Sequence, residues 1–269
     1  MEFIRAIVYG IVQGLTEFLP ISSTAHLRVV PAVLGWEDPG AAYSAVIQIG
    51  TVLAVIIYFR RDVVALLKAF FGGIAQKAPM GTTESRMAWY IFAGTFPIGV
   101  CGLVFKKLVE GEARALWVVT AAALVFGILL LVAELLSKRQ KDAAAIGWKE
   151  SQIIGAAQAL ALIPGASRSG VTITAGLFLG LTREAAARFS FLLSIPAVAA
   201  AGLFEFKHVL KHGTGGASLG ALALSTLVSF VVGYACIEFL LGFLKTRSTL
   251  PFSIYRIILA GLMFAFLVK

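Results

Sequence analysis

Apolar residues occupy this 269-residue chain in long runs, with polar residues gathered into short breaks between them. The runs show no two-residue alternation, so they predict helices rather than the strands of a membrane barrel. Six are long enough to cross a bilayer, which takes about 20 residues: 41–59, 87–105, 116–136, 185–204, 217–244 and 252–268. Pro97 predicts a kink in the second, and the length of the fifth predicts tilt or a break. Two other regions read differently. Apolar pieces at 3–19 and 27–36 are separated by Pro20 and Ile21-Ser22-Ser23-Thr24-Ala25-His26, and pieces at 153–163 and 171–181 by Pro164-Gly165-Ala166-Ser167-Arg168-Ser169-Gly170. Each predicts a helix, a proline turn and a returning helix, which is a re-entrant hairpin with its tip at membrane depth.

The two hairpins belong to a repeat. A shift of 145 positions pairs Gly10 with Gly155, Gln13 with Gln158, Leu15 with Leu160 and Ser22 with Ser167. The same shift pairs Leu34-Gly35 with Leu179-Gly180 and Ala41-Ala42 with Ala186-Ala187. Residues 1–137 and 151–269, joined by a polar linker at 138–150, each read as one hairpin plus three spans. Three is odd, so the second half is expected to be inverted, with its hairpin tip meeting the first near the midplane. Arg60, Arg61, Lys68, Lys77, Lys138, Arg139, Lys141, Lys149, Arg183, Lys245 and Arg247 gather on one side, which is expected to be cytoplasmic, with both termini outside.

Composition sharpens this into a single all-α polytopic membrane domain. The chain is 59% hydrophobic and 14% charged, with a mean hydropathy of +0.91, which no soluble domain approaches. Its net charge of +9 suits positive-inside loops and anionic lipid. The basic residues are scattered without aromatic interleaving, so nucleic acid is not expected as a partner. Cys101 and Cys236 lie in apolar runs and read as packing residues. Glu2, Gln13 and Glu17 interrupt the N-terminal run, which therefore reads as structure rather than a cleaved signal.

Candidate chemistry gathers at the two tips. Arg168 is a charge at membrane depth, and such a charge is functional by default. Around it stand Ser167, Ser169 and Thr172, two glycines, and the N-terminus of the returning helix. That set suits a phosphate. In the first hairpin Gln13 and Glu17 are four apart on one helix face. Glu17 can hold a divalent cation or act as a base. Ser22, Ser23 and His26 follow, and a serine or histidine beside a carboxylate is the arrangement of an activated nucleophile. Ser22 and Ser23 also suit a helix cap after Pro20. The residues leave open whether Ser23 or His26 attacks or activates water. Gln48, in mid-span, is a candidate to line the site. Glu134 and Glu238 read as interfacial ion pairs, and Glu184 with Arg188 as an i,i+4 pair. His208 and His212 have no further ligand and read, with Gly213 to Gly216, as a solvated loop.

Residues 13–26 resemble the first signature of the bacterial undecaprenyl-diphosphate phosphatase family, of the bacitracin-resistance type, and residues 164–172 resemble its second, PGxSRSGxT. Residues 46–50 and 191–196 resemble the family as well. The resemblance spans nearly the whole chain. It implies an enzyme that removes the terminal phosphate from a C55 isoprenyl diphosphate, releasing undecaprenyl phosphate for reuse in cell-wall synthesis, and so confers bacitracin resistance. It also implies a divalent cation, Mg²⁺ or Ca²⁺, and a bacterial inner-membrane location with the site open to the periplasmic side. By motif position Glu17 is the second acidic residue of the family's [E/Q]xxxE, and Gln13 fills the first, where many members carry Glu. The functional serine and histidine fall on Ser23 and His26, with Ser22 adjacent. The arginine and its hydroxyls fall on Arg168, Ser167, Ser169 and Thr172. The expected partners are a polyprenyl diphosphate lipid and the bilayer, with a homodimer left open. The competing expectation is a transporter or flippase of a phosphorylated lipid or small anion, because inverted repeats also build transporters.

Overall fold

The computed structural model describes residues 1–212 and 218–268. The loop expected at 207–216 is corrected in its first part, where the helix that begins at Arg183 runs on to His212; residues 213–216 lie outside the described residues, as do the side chains of His208 and His212. Twelve α-helices follow one another: α1 (Glu2–Phe18), α2 (Ser23–Leu34), α3 (Gly40–Tyr58), α4 (Arg60–Ala75), α5 (Thr83–Val104), α6 (Lys106–Glu110), α7 (Leu116–Leu136), α8 (Trp148–Ala159), α9 (Arg168–Phe178), α10 (Arg183–His212), α11 (Leu219–Thr246) and α12 (Leu250–Phe266). Among the described residues there is no strand, only an isolated bridge between Lys141 and Leu181. Among the described residues five helices are long and apolar enough to cross a membrane: α3, α5, α7, the Arg183–Lys207 part of α10, and α11. The chain is therefore an all-helical, multi-pass membrane protein. The last expected span is present as the shorter, 17-residue α12.

Several expectations are corrected. The basic stretch after the first span is not a loop but helix α4, none of whose residues is buried. Its charges interrupt an otherwise helical run, and Phe70 seats it on α5 through Trp89 and Phe92. Helix α11 runs unbroken for 28 residues. Glu184 does not pair with Arg188. Arg188 instead reaches Asp62 on α4 at 2.7 Å, and Glu184 lies 3.8 Å from Lys245. With α4 unread, its acid could not be foreseen as a partner. Glu134 is an ion pair as expected, accepting from Arg139 at 2.6 Å, from Arg183, and from the Thr249 hydroxyl at 2.7 Å. Glu238 differs: it accepts from the Tyr58 hydroxyl at 2.7 Å.

Small residues let the hairpin helices approach their neighbours closely, as membrane helices do. Helix α1 lies along α11, where a Cβ on Gly14 would stand 2.9 Å from the Ser229 carbonyl oxygen. Helix α8 lies along α5, where a Cβ on Gly155 would stand 2.4 Å from the Gly94 carbonyl oxygen. Beneath the tips, Phe18 of α1 meets Phe191 of α10 edge to face at 5.2 Å. That contact sits in a buried cluster with Ile173, Leu177, Leu193, Ile237 and Leu240. The core thus anchors one end of each hairpin and leaves the tips facing each other.

Candidate active site

Pro20 supplies no amide proton to continue α1, so the helix stops at Phe18 and the chain turns. Ser22 then adopts a left-handed φ of 75°, and its Oγ accepts the Ala25 N–H at 3.3 Å to cap α2. The second tip repeats this design. After Pro164, Ser167 takes φ 71° and its Oγ accepts the Gly170 N–H at 3.1 Å, capping α9. A non-glycine residue held at positive φ costs about 1–3 kcal/mol and persists where its surroundings enforce it. Here the surroundings are the opposite tip.

The tips touch. The Ser169 hydroxyl donates to the Leu19 carbonyl oxygen at 3.1 Å, and Arg168 Nη2 donates to Glu17 Oε1 at 2.6 Å. The other carboxylate oxygen of Glu17 accepts Gln13 Nε2 at 2.7 Å and the Ser23 hydroxyl at 2.9 Å. The side chains of Glu17 and Arg168 are only 5% and 12% exposed, so this is a buried pair, strong only while both partners stay in place. Chemically, it places a serine hydroxyl on a carboxylate and an arginine fork beside both.

His26 sits on the next turn. Its Nδ1 lies 2.7 Å from the Ser22 carbonyl oxygen, which can only accept, so Nδ1 carries a proton. Its Nε2 lies 2.7 Å from the Tyr255 hydroxyl, with the ring planes 7° apart. Among the described residues His26 hydrogen-bonds neither Ser23 nor Glu17.

The other candidates are placed less centrally. The Thr172 hydroxyl turns toward α10, bonding Ser190 Oγ at 2.6 Å and the Arg168 carbonyl at 2.7 Å, and so fixes α9 rather than facing Glu17. Ser167 Oγ lies 3.3 Å from Ser169 Oγ. Gln48 is half-buried on α3, and its side chain makes no hydrogen bond to Glu17, Ser23, His26 or Arg168. Cys101 and Cys236 are free thiols, the latter buried and donating to the Leu15 carbonyl at 3.2 Å.

Among the described residues no three His, Cys, Asp or Glu side chains converge on one point. One observation still suits a cation: Gln13 Oε1 is buried without a partner, beside Glu17. Mg²⁺ and Ca²⁺ take oxygen donors. Glu17, this amide oxygen and phosphate oxygens of a substrate fit such an ion.

Two residues on α12 were passed over in the sequence. Tyr255 meets His26, and Arg256 is fully buried. Arg256 was open to discovery, because it is a charge inside an apolar run. No signature motif surrounds it, however, and its partners are carbonyls that sequence does not announce. Tyr255 carried no such signal.

The bacitracin resistance protein BacA family matches residues 6–262. Among similar proteins, the undecaprenyl-diphosphatase of Myxococcus xanthus is 55% identical over 267 residues, covering 99% of this chain and 90% of that one. That of Chloroherpeton thalassium is 52% identical over 275 residues, covering 99% and 97%. That of Chlorobium phaeobacteroides (strain BS1) is 53% identical over 267 residues, covering 96% and 95%. With one family spanning nearly its whole length, and Glu17, Ser23 and Arg168 meeting where two hairpins touch, the chain belongs to the bacitracin resistance protein BacA family.

Proposed function

We propose that this protein is an undecaprenyl-diphosphatase that hydrolyses undecaprenyl diphosphate to undecaprenyl phosphate and phosphate. The observation that carries the chemistry is the Ser23 hydroxyl seated on Glu17, itself bridged to Arg168 from the other tip. The incoming diphosphate draws Arg168 away from Glu17. The freed carboxylate takes the Ser23 proton as Oγ attacks the terminal phosphorus. Arg168 and the free N–H groups at the start of α9 neutralise charge on the phosphates, and undecaprenyl phosphate leaves. Water then releases phosphate from Ser23, with His26 as the second proton acceptor through Nε2 once Tyr255 yields. Glu17 and the Gln13 amide oxygen would hold a divalent cation, which would supply further charge neutralisation on phosphate oxygens. His26 as the nucleophile is the weaker choice, since one ring nitrogen is bound to a carbonyl and the other is covered by Tyr255.

In the bilayer, six helices span and the α1–α2 and α8–α9 hairpins are re-entrant, in an inverted repeat of residues 1–137 and 151–269. Matched backbone features support the repeat: Ser22 and Ser167, like Gly35 and Gly180, share left-handed conformations at the 145-residue shift. Gln13 and Gln158 are likewise both fully buried. The richer basic loops face the cytoplasm, which opens the site to the outer side of the bacterial cytoplasmic membrane. The names of the relatives support the lipid substrate. Phosphate release from undecaprenyl diphosphate by the purified protein in detergent tests the reading. A transporter of a phosphorylated lipid would bind the same substrate and release no phosphate.

A further inference from the structure

Arg256 is the largest of the fully buried side chains, at 0% exposed, and no carboxylate meets it. Its donors go to backbone oxygens of three separate segments. Nη2 reaches the Gly165 carbonyl at 3.0 Å and the Ala166 carbonyl at 2.9 Å, both on the second tip. Nη1 reaches the Pro20 carbonyl on the first tip at 3.5 Å, and Nε the Ala123 carbonyl of α7 at 3.3 Å. A buried guanidinium without an acid partner is costly to keep. Its planar fork spreads five donors over three nitrogens, which lets one side chain join carbonyls of separate segments.

The other links between the tips are the Ser169–Leu19 hydrogen bond and the Glu17–Arg168 ion pair. The ion pair is the stronger of the two, and in the proposed mechanism it is the one that opens as Arg168 turns to the phosphates. We propose that Arg256 is a positioning residue that holds the two tips in register while the Glu17–Arg168 pair is open. All four of its hydrogen bonds go to backbone oxygens, so substrate does not compete for them. This rests on the phosphatase reading for its timing, but not for the clamp itself.

Hydrogen exchange of the tip segments, residues 19–23 and 164–170, tests the clamp without any ligand. Arg168→Gln removes the ion pair, Arg256→Gln removes the clamp, and the double variant removes both. Each single variant keeps both tips protected, and the double variant loses protection at both. A double variant as protected as the parent overturns the proposal, and so does loss of protection in Arg168→Gln alone. Gly170→Ala supplies an independent route if Arg256→Gln fails to fold, because its Cβ would stand 2.7 Å from Nη1 and displace the guanidinium with its charge retained. Combined with Arg168→Gln it gives the same loss. In turnover, Arg256→Gln lowers kcat by about 100-fold, the cost of misplaced reacting groups, while KM changes by less than about threefold. Arg256→Lys does not restore kcat, since a single ammonium cannot span both tips. Full turnover of Arg256→Lys, or a KM rise matching that of Arg168→Gln, overturns the positioning role. Full activity of Ser23→Ala would refute the phosphatase mechanism while leaving the exchange result standing.

Discussion

Glu17 accepts from Gln13, Ser23 and Arg168 at once, so both of its oxygens are bonded before any substrate arrives. In the proposed mechanism the phosphate draws Arg168 from it. Arg168→Lys therefore keeps a charge and loses the fork, and turnover falls with it. Ser23→Ala removes the attacking oxygen and Glu17→Gln the proton acceptor, and a positioned base contributes about 10²–10⁴-fold. Phosphate release by each purified variant checks both, and near-parental rates in either would remove that residue from the chemistry. Glu17→Gln also removes the response to added Mg²⁺ or Ca²⁺; an unchanged cation titration would end the metal role. At this scale much was readable beforehand. Glu17 and Arg168 stood out because charge inside an apolar segment is expensive, and the structure brings them together. Gln48 stood out as a mid-span polar residue in a stretch that resembles the family, yet its side chain joins none of them. The pairing of His26 with Tyr255 was unreadable, because the two lie 229 positions apart with no shared pattern.

Elements were legible where polarity was all or none. The hairpins followed from proline and length, while α4 was hidden by Arg60, Arg61, Asp62 and Lys68, which break an apolar pattern without breaking a helix. Contact between elements was less visible, since it depends on hydrogen and carbonyl rather than side-chain type. Gly155→Ala puts a methyl 2.4 Å from a backbone oxygen of α5, so the hairpin must shift. Overpacking of this kind costs about 1–3 kcal/mol, and thermal unfolding in detergent would reveal it as a lowered Tm. The link between α2 and α3 offers a pH handle. Burial raises the pKa of Asp38, but the Gly40 N–H, Arg114 and Arg28 outweigh it and leave the carboxyl below its ordinary value. A depressed pKa contributes stability above the unfolded value of about 3.9, and that stability is lost as pH falls through the folded value. Protection of the amides at 35–40, taken relative to their intrinsic exchange rates, therefore falls on acidification below about pH 4. Asp38→Asn shows faster exchange already at neutral pH and a flatter response to acid.

For the molecule as a whole, sidedness is the property that sequence charge alone suggested. Loops at 76–82 and 111–115 lie at opposite ends of the α5 region. Cysteine at exposed Gln76 escapes an impermeant thiol reagent in intact cells, and cysteine at exposed Glu112 is labelled; the reverse pattern would invert the orientation. The glycine seams have a further consequence, for traffic. Where α1 meets α11 and α5 meets α8, backbone rests on backbone, and no door can open there without prying helices apart. Between α2 and α12 a single hydroxyl meets an imidazole beside a small apolar cluster of Ala25, Val29, Leu259 and Met263, with Tyr255 itself 42% exposed. On the proposed function a long apolar tail would enter by that flank, with Tyr255 as its doorpost, while the phosphates reach the tips.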